Sequence, residues 1–141
     1  MKGRRHLVIT ILLFVGAVAM LSAAEETFPK PISSELPMYP ERARSAHVAG
    51  TVNLWFMIDG TGAVTQAQSV SGNSMLRDAA LSTVKSWRFS ANSMQPNVRY
   101  ETEFAYTLKA QQTNGEPKLT VSMSDFRRVE IVSELYVEAI E

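Results

Sequence analysis

Two runs of strict apolar–polar alternation constrain this chain more than anything else in it. In the first, Val52, Leu54, Phe56 and Ile58 alternate with Thr51, Asn53, Trp55, Met57 and Asp59. In the second, Val98, Tyr100, Thr102, Phe104, Tyr106 and Leu108 alternate with Arg99, Glu101, Glu103, Thr107 and Lys109. Successive side chains of a strand point to opposite faces, so each run reads as a strand with one face turned to a core. Trp55 and Met57 make the second face of the first strand partly apolar as well. Asp59-Gly60-Thr61-Gly62 interrupts the first run with turn residues, and Val64 to Val70 returns as an antiparallel partner. Thr65, Gln66, Gln68 and Ser69 give that returning strand a side open to water.

Helices are expected on either side of this hairpin. Pro40 suits a first helical turn, Ala43 and Ala46 supply a weak apolar side, and Gly50 reads as the stop. A helix of about two turns has no stability of its own and must dock on the sheet. Ser71-Gly72-Asn73-Ser74 ends the hairpin and caps a longer helix, whose apolar residues Leu76, Ala80, Val84 and Trp87 share one face. Asp78 near its start and Lys85 and Arg88 near its end complement the helix dipole. The order helix, strand, strand, helix, strand predicts an α+β fold: a small antiparallel sheet of three strands with two helices packed on one face. The sheet grows to four or five strands if the 111–141 extension joins it. There, Asn114-Gly115 signals a turn and Lys118 to Met123 runs as a strand. Val129 to Ile140 fits both periods, with β-branched content favouring a strand.

The other end carries an address. Lys2, Arg4 and Arg5 precede an apolar run from Leu7 to Leu21, then Ser22-Ala23-Ala24. A basic front, an apolar middle and small residues before the break make residues 1–24 a signal peptide, cut after Ala24. The alternative is a short membrane anchor, although 15 residues span only about 22 Å as a helix. Three of the 14 basic residues lie in that segment and none of the 14 acidic ones, so the remainder is mildly acidic. That balance offers nothing to nucleic acid, and the inner membrane becomes a partner only if the leader is retained. Residues 25–38 hold Pro29, Pro31 and Pro37 and read as an extended tether before a domain at 39–110. The sequence has no cysteine, so a small exported domain must hold together by its core alone.

No reaction centre stands out, and no catalytic, cofactor-binding or metal-binding residue is assigned. His47 has no second histidine beyond His6 of the leader and reads as a helix-end surface residue. Trp87-Arg88-Phe89 reads as core anchoring, with Arg88 closing the helix end. Asp59 lacks the further oxygen ligands of a calcium loop and reads as a turn residue. Glu130, Glu134 and Glu138 read as a solvated edge.

These pieces, in this order, resemble the C-terminal domain of TonB, the periplasmic end of an inner-membrane energy transducer. The resemblance is carried by Tyr39-Pro40, Ala43, Gly50-Thr51-Val52, Asp59-Gly60-Thr61-Gly62, Ser71-Gly72, Ala79-Ala80-Leu81 and Trp87-Arg88-Phe89, and it covers roughly residues 36–109. It implies a protein-binding module of the periplasm. Such domains hold a peptide segment of an outer-membrane transporter, or of another envelope protein, by adding it as a strand to the exposed edge of the last strand. In this sequence that edge and the Tyr-Pro region comprise Met38, Tyr39, Arg99, Glu101, Glu103 and Ala105. The chain departs from the family pattern in its short tether, in Leu36-Pro37-Met38 where a glutamine is usual, and in His6 preceding the apolar run. A structural alternative stays beside it: an assembly module or homodimer of the envelope whose own tail covers the sheet edge.

Overall fold

The computed structural model describes residues 28–91, 97–111, 118–123 and 125–136. The leader, the Asn114-Gly115 turn and Glu138 lie outside the described residues. The elements are β1 (Pro31–Ser33), α1 (Glu41–Ser45), β2 (Gly50–Ile58), β3 (Val64–Ser71), α2 (Ser74–Ser86), β4 (Arg88–Phe89), β5 (Tyr100–Gln111), β6 (Leu119–Met123) and β7 (Arg128–Tyr136). Five of the strands form one sheet in the order β3-β2-β5-β7-β6, and β1 pairs with β4 in a separate two-stranded piece. The α+β reading with two helices holds, but the sheet is mixed: β5 and β7 run parallel, while every other neighbouring pair is antiparallel.

The inward rows of the alternating runs build the core. Val52, Leu54 and Phe56 of β2, Phe104 of β5, and Val129 and Ile131 of β7 are all essentially without solvent contact. From the other side α2 contributes Leu76, Ala80 and Val84, and its C-cap residue Trp87 lies flat on Phe104 at 5.8 Å. Phe56 stacks on Phe89 at 5.4 Å. Such ring pairs add to the area they bury, so these aromatics dominate the cohesion of a domain without disulfides.

α1 ends earlier than the Gly50 reading placed it. His47 takes the left-handed conformation (φ 54°), with its N–H on the carbonyl of Arg44 (3.0 Å) and the Val48 N–H on that of Ala43 (2.8 Å). This is the Schellman closure, which satisfies the last helical carbonyls. Gly50 instead opens β2. In the β2–β3 turn, one oxygen of Asp59 accepts from the Thr61 N–H, the Thr61 hydroxyl and the Ala63 N–H. Gly62 has φ 86°, and a Cβ there would lie 1.9 Å from the Phe89 carbonyl oxygen, so only glycine lets the turn meet β4.

From Phe28 onward, the stretch expected to be a tether packs on the domain. Pro29 and Pro37 are fully buried, and Phe28 meets Phe56, Phe89 and Tyr100 edge-on at 5.8–6.2 Å. The Ser90 N–H donates to the Lys30 carbonyl (2.8 Å), and the Glu35 N–H reaches the Ser86 hydroxyl (3.3 Å). Prolines exclude helix without requiring freedom, and the apolar rings of Pro29 and Pro37 are buried here.

Candidate partner-binding edge

β5 is a central strand. One side pairs with β2 from Tyr100 to Tyr106, and the other pairs with β7 from Glu103↔Arg128 to Gln111↔Tyr136. Before that ladder begins, the connection into β7 takes over: the Thr102 hydroxyl donates to the Phe126 carbonyl at 2.6 Å, and the Glu103 N–H to the Arg127 carbonyl at 2.8 Å. Phe126 sits edge-on to Trp87 at 4.7 Å and pins that connection to the core. The open outer edge expected on the 98–109 strand is therefore absent from Glu103 onward, because the chain's own extension fills it.

The expected partner-binding residues fall into three settings. Arg99 lies over the Trp55 ring at 4.3 Å, and with Glu101, Phe28, Tyr100 and Arg127 it borders an open cleft of about 460 Å³. Glu103 and Ala105 sit inside the β5–β7 ladder, where the Glu103 carboxylate pairs with the Arg128 guanidinium and Arg128 also bonds Glu130 (2.9 Å). The Glu130 hydrogen bond and the Glu103 charge raise the Arg128 pKa. In the Tyr-Pro region, Met38 is 72% exposed, whereas Tyr39 is buried. The Tyr39 hydroxyl donates to the Val48 carbonyl at 2.5 Å and its ring meets Tyr106 edge-on at 5.3 Å, so it braces α1 instead of offering a contact. Burial raises the pKa of both tyrosines. Among the described residues no three His, Cys, Asp or Glu side chains converge as a metal site. Nor is any described helix long and apolar enough to cross a membrane.

Two strands end the sheet, β3 and β6, and they differ. The β2–β3 ladder shifts register twice, between Asn53 and Leu54 and between Met57 and Ile58. Bulges twist an edge and spoil it as a template. The β6–β7 ladder runs without a shift from Leu119↔Ser133 to Met123↔Val129. Its edge residues, Leu119-Thr120-Val121-Ser122-Met123, include no charge and no proline. The Glu134 backbone N–H donates to the Lys118 carbonyl, which turns the even-numbered β6 residues towards β7. By alternation, the N–H and C=O groups of Leu119, Val121 and Met123 face outward. Sequence reasoning placed a strand here without recognising it as the outer edge, although a neutral, unbroken five-residue run was its visible sign.

A family model described as Gram-negative bacterial TonB protein C-terminal matches residues 35–108, more than half of the 141 residues. The chain belongs to this family. It is accordingly a TonB-like domain of the periplasmic, energy-transducing class. Among solved structures, it is similar to the Pseudomonas aeruginosa TonB C-terminal domain determined by solution NMR, with 21% identity, a TM-score of 0.45, and coverage of 58% of this chain and 88% of that one. No curated protein matches. The family match stops at residue 108, so β6 and β7 lie beyond it.

Proposed function

We propose that this TonB-like domain works in the periplasm as a protein-binding module, holding an extended segment of an outer-membrane transporter or another envelope protein as an added strand. The outer edge of β6 receives that strand. The observation that carries this reading is the pair of facts at the two sides of the extension: β7 occupies the β5 edge, and β6 presents a regular, uncharged one. Main-chain pairing supplies adhesion that tolerates sequence variation in the partner. Of the residues expected at the partner site, Tyr39, Glu103 and Ala105 support the fold, Met38 stays exposed, and Arg99 and Glu101 lie at the start of β5, which β7 separates from β6; none is assigned to the β6 contact. No step of covalent chemistry is assigned.

The test is a fluorescence-anisotropy titration of a labelled peptide from the periplasm-facing segment of an outer-membrane transporter, against the full chain freed of residues 1–24. Val121→Pro removes an outward N–H and leaves the β7 ladder intact, a position where an edge strand tolerates proline. Binding that weakens at least about tenfold in a Val121→Pro protein of unchanged circular dichroism supports the reading, since one lost main-chain hydrogen bond and a blocked strand path account for that much. Equal affinity in the two proteins overturns it.

A further inference from the structure

β7 covers β5 only from Glu103 onward, and the start of β5 has different surroundings. The Glu103 N–H turns away from β2 to the Arg127 carbonyl. Main-chain groups alternate in direction along a strand, so the N–H and C=O of Glu101 point to that same side. The β7 ladder starts at Glu103↔Arg128, and no strand among the described residues pairs with Glu101 there. This bare step of edge opens into the cleft of about 460 Å³ lined by Phe28, Arg99, Tyr100, Glu101 and Arg127. A space of that size holds a small ligand or one residue of a chain. Two guanidiniums border it, and aromatic rings hold both: Arg99 lies over Trp55 at 4.3 Å and Arg127 over Phe28 at 5.5 Å. A guanidinium stacked by its face keeps its N–H donors around the rim, in the fork that fits a carboxylate. Ion pairs among the described residues join Arg44 to Glu41, and Arg128 to Glu103 and Glu130, so none occupies the Arg99 fork. Glu101 is the single carboxylate in the lining, which leaves the cleft with one net positive charge. Half-buried Phe28 and the Tyr100 ring add an apolar wall.

We infer that this cleft binds the C-terminal residue of a polypeptide, with the terminal carboxylate on Arg99 and Arg127 and the side chain against Phe28 and Tyr100. The terminal residue's amide meets the outward main-chain groups of Glu101. A terminal carboxylate brings the single negative charge that balances the lining. A free amino acid would place an ammonium beside two guanidiniums, so a chain end whose nitrogen is already an amide fits better. An aromatic or large aliphatic final residue suits the wall, because it gains contact with the rings as the carboxylate is clamped. Both arginines are exposed, so salt screens the attraction and the affinity for a short chain end is modest, with a Kd on the order of 1 mM. This site is separate from the β6 edge of the proposed function, since β7 lies between β5 and β6.

The test is an NMR titration of the nitrogen-15-labelled full chain without residues 1–24, following the backbone amide of Glu101 and its neighbours. Three probes are compared: N-acetylalanylphenylalanine with its free carboxylate, the same dipeptide as the C-terminal amide, and free phenylalanine. The expected result is a saturable shift centred on Glu101 with the acid, and binding at least about tenfold weaker with the amide, which lacks the charge the arginines hold. Arg99→Gln, at an exposed position, should weaken the acid at least about fivefold without changing the rest of the spectrum, and Arg127→Gln should act in the same direction. Raising the salt to about 0.5 M should weaken the acid and leave the amide unchanged. Equal affinity for acid and amide, an Arg99→Gln protein that binds the acid as the wild type does, or no saturable shift up to about 10 mM overturns the proposal. Free phenylalanine binding as tightly as the acid overturns the assignment to a polypeptide end. Val121→Pro should bind the acid as the wild type does, whatever it does to the transporter peptide; a parallel loss of both overturns the separation of the two sites.

Discussion

Ile131→Ala tests whether the extension beyond the family-matched region is structural. Ile131 is fully buried in the middle of β7, opposite Tyr106 on one side and Val121 on the other. The change deletes three carbons, which at about 0.8 kcal/mol each amounts to roughly 2.4 kcal/mol of lost transfer free energy. Strands on both sides keep the site from collapsing, and the residual cavity raises the cost to about 3–4 kcal/mol. Against a total stability of about 5–15 kcal/mol, that is a large fraction. With a urea slope of about 1.5–2 kcal/mol per molar, the unfolding midpoint followed by circular dichroism should fall by roughly 2 M. Val132→Ala, one residue along on the half-buried opposite face, is the control and should cost under about 1 kcal/mol. If the two variants shift the midpoint equally, β7 is a strap resting on a finished domain, and the argument that the β5 edge is permanently filled fails.

The Tyr106 hydroxyl is buried with no hydrogen-bond partner among the described residues. Tyr106→Phe should therefore raise stability by about 0.5–1 kcal/mol, measured as a higher urea midpoint, since a polar group is removed from a place that does not satisfy it. Burial, and then the neighbouring Tyr39, holds the folded-state pKa of Tyr106 above its ordinary value. The folded form thus keeps a proton that the unfolded chain releases, so stability falls as pH rises beyond about 10, and Tyr106→Phe should flatten that fall. Asp59 works in the other direction. Hydrogen bonds from the Thr61 hydroxyl and then the Thr61 N–H lower its pKa, so its contribution is present above the ordinary carboxylate value and drains away below about pH 4. In thermal melts, Asp59→Ala should lower the neutral-pH midpoint and shrink the midpoint's acid dependence.

Much of the fold was legible along the chain because its signals are local. The period of two in Val52–Ile58 and in Val98–Leu108 states which residues face inward without reference to anything distant. The four-four-three spacing of Leu76, Ala80, Val84 and Trp87 does the same for α2, and Arg88 closes that helix on the Lys85 and Trp87 carbonyls as read. Asp59 is the turn residue its neighbours implied. Where a local rule had two solutions, the reading drifted. A glycine is the usual helix stop, yet His47 tolerated the left-handed geometry three residues earlier. Three prolines are as compatible with a packed segment as with a tether, and the choice depended on rings far along the chain, those of Phe56, Phe89 and Tyr100 against Phe28.

The edge of the sheet belongs wholly to the second kind of information. Sequence marks 119–123 as a strand-former and leaves 129–140 with both periods, tipped towards strand by β-branching, because alternation and β-branching are properties of each segment alone. It does not determine the slot each takes, because the slot follows from comparing how much apolar surface each can hide. Val129, Ile131 and the small Ser133 suit a position between two strands, and Leu119, Val121 and Met123 sit on the rim with part of their surface still wet. Burial favours placing the more completely coverable row inside. That non-local contest moved the free edge from β5 to β6, and with it the surface on which another polypeptide would pair.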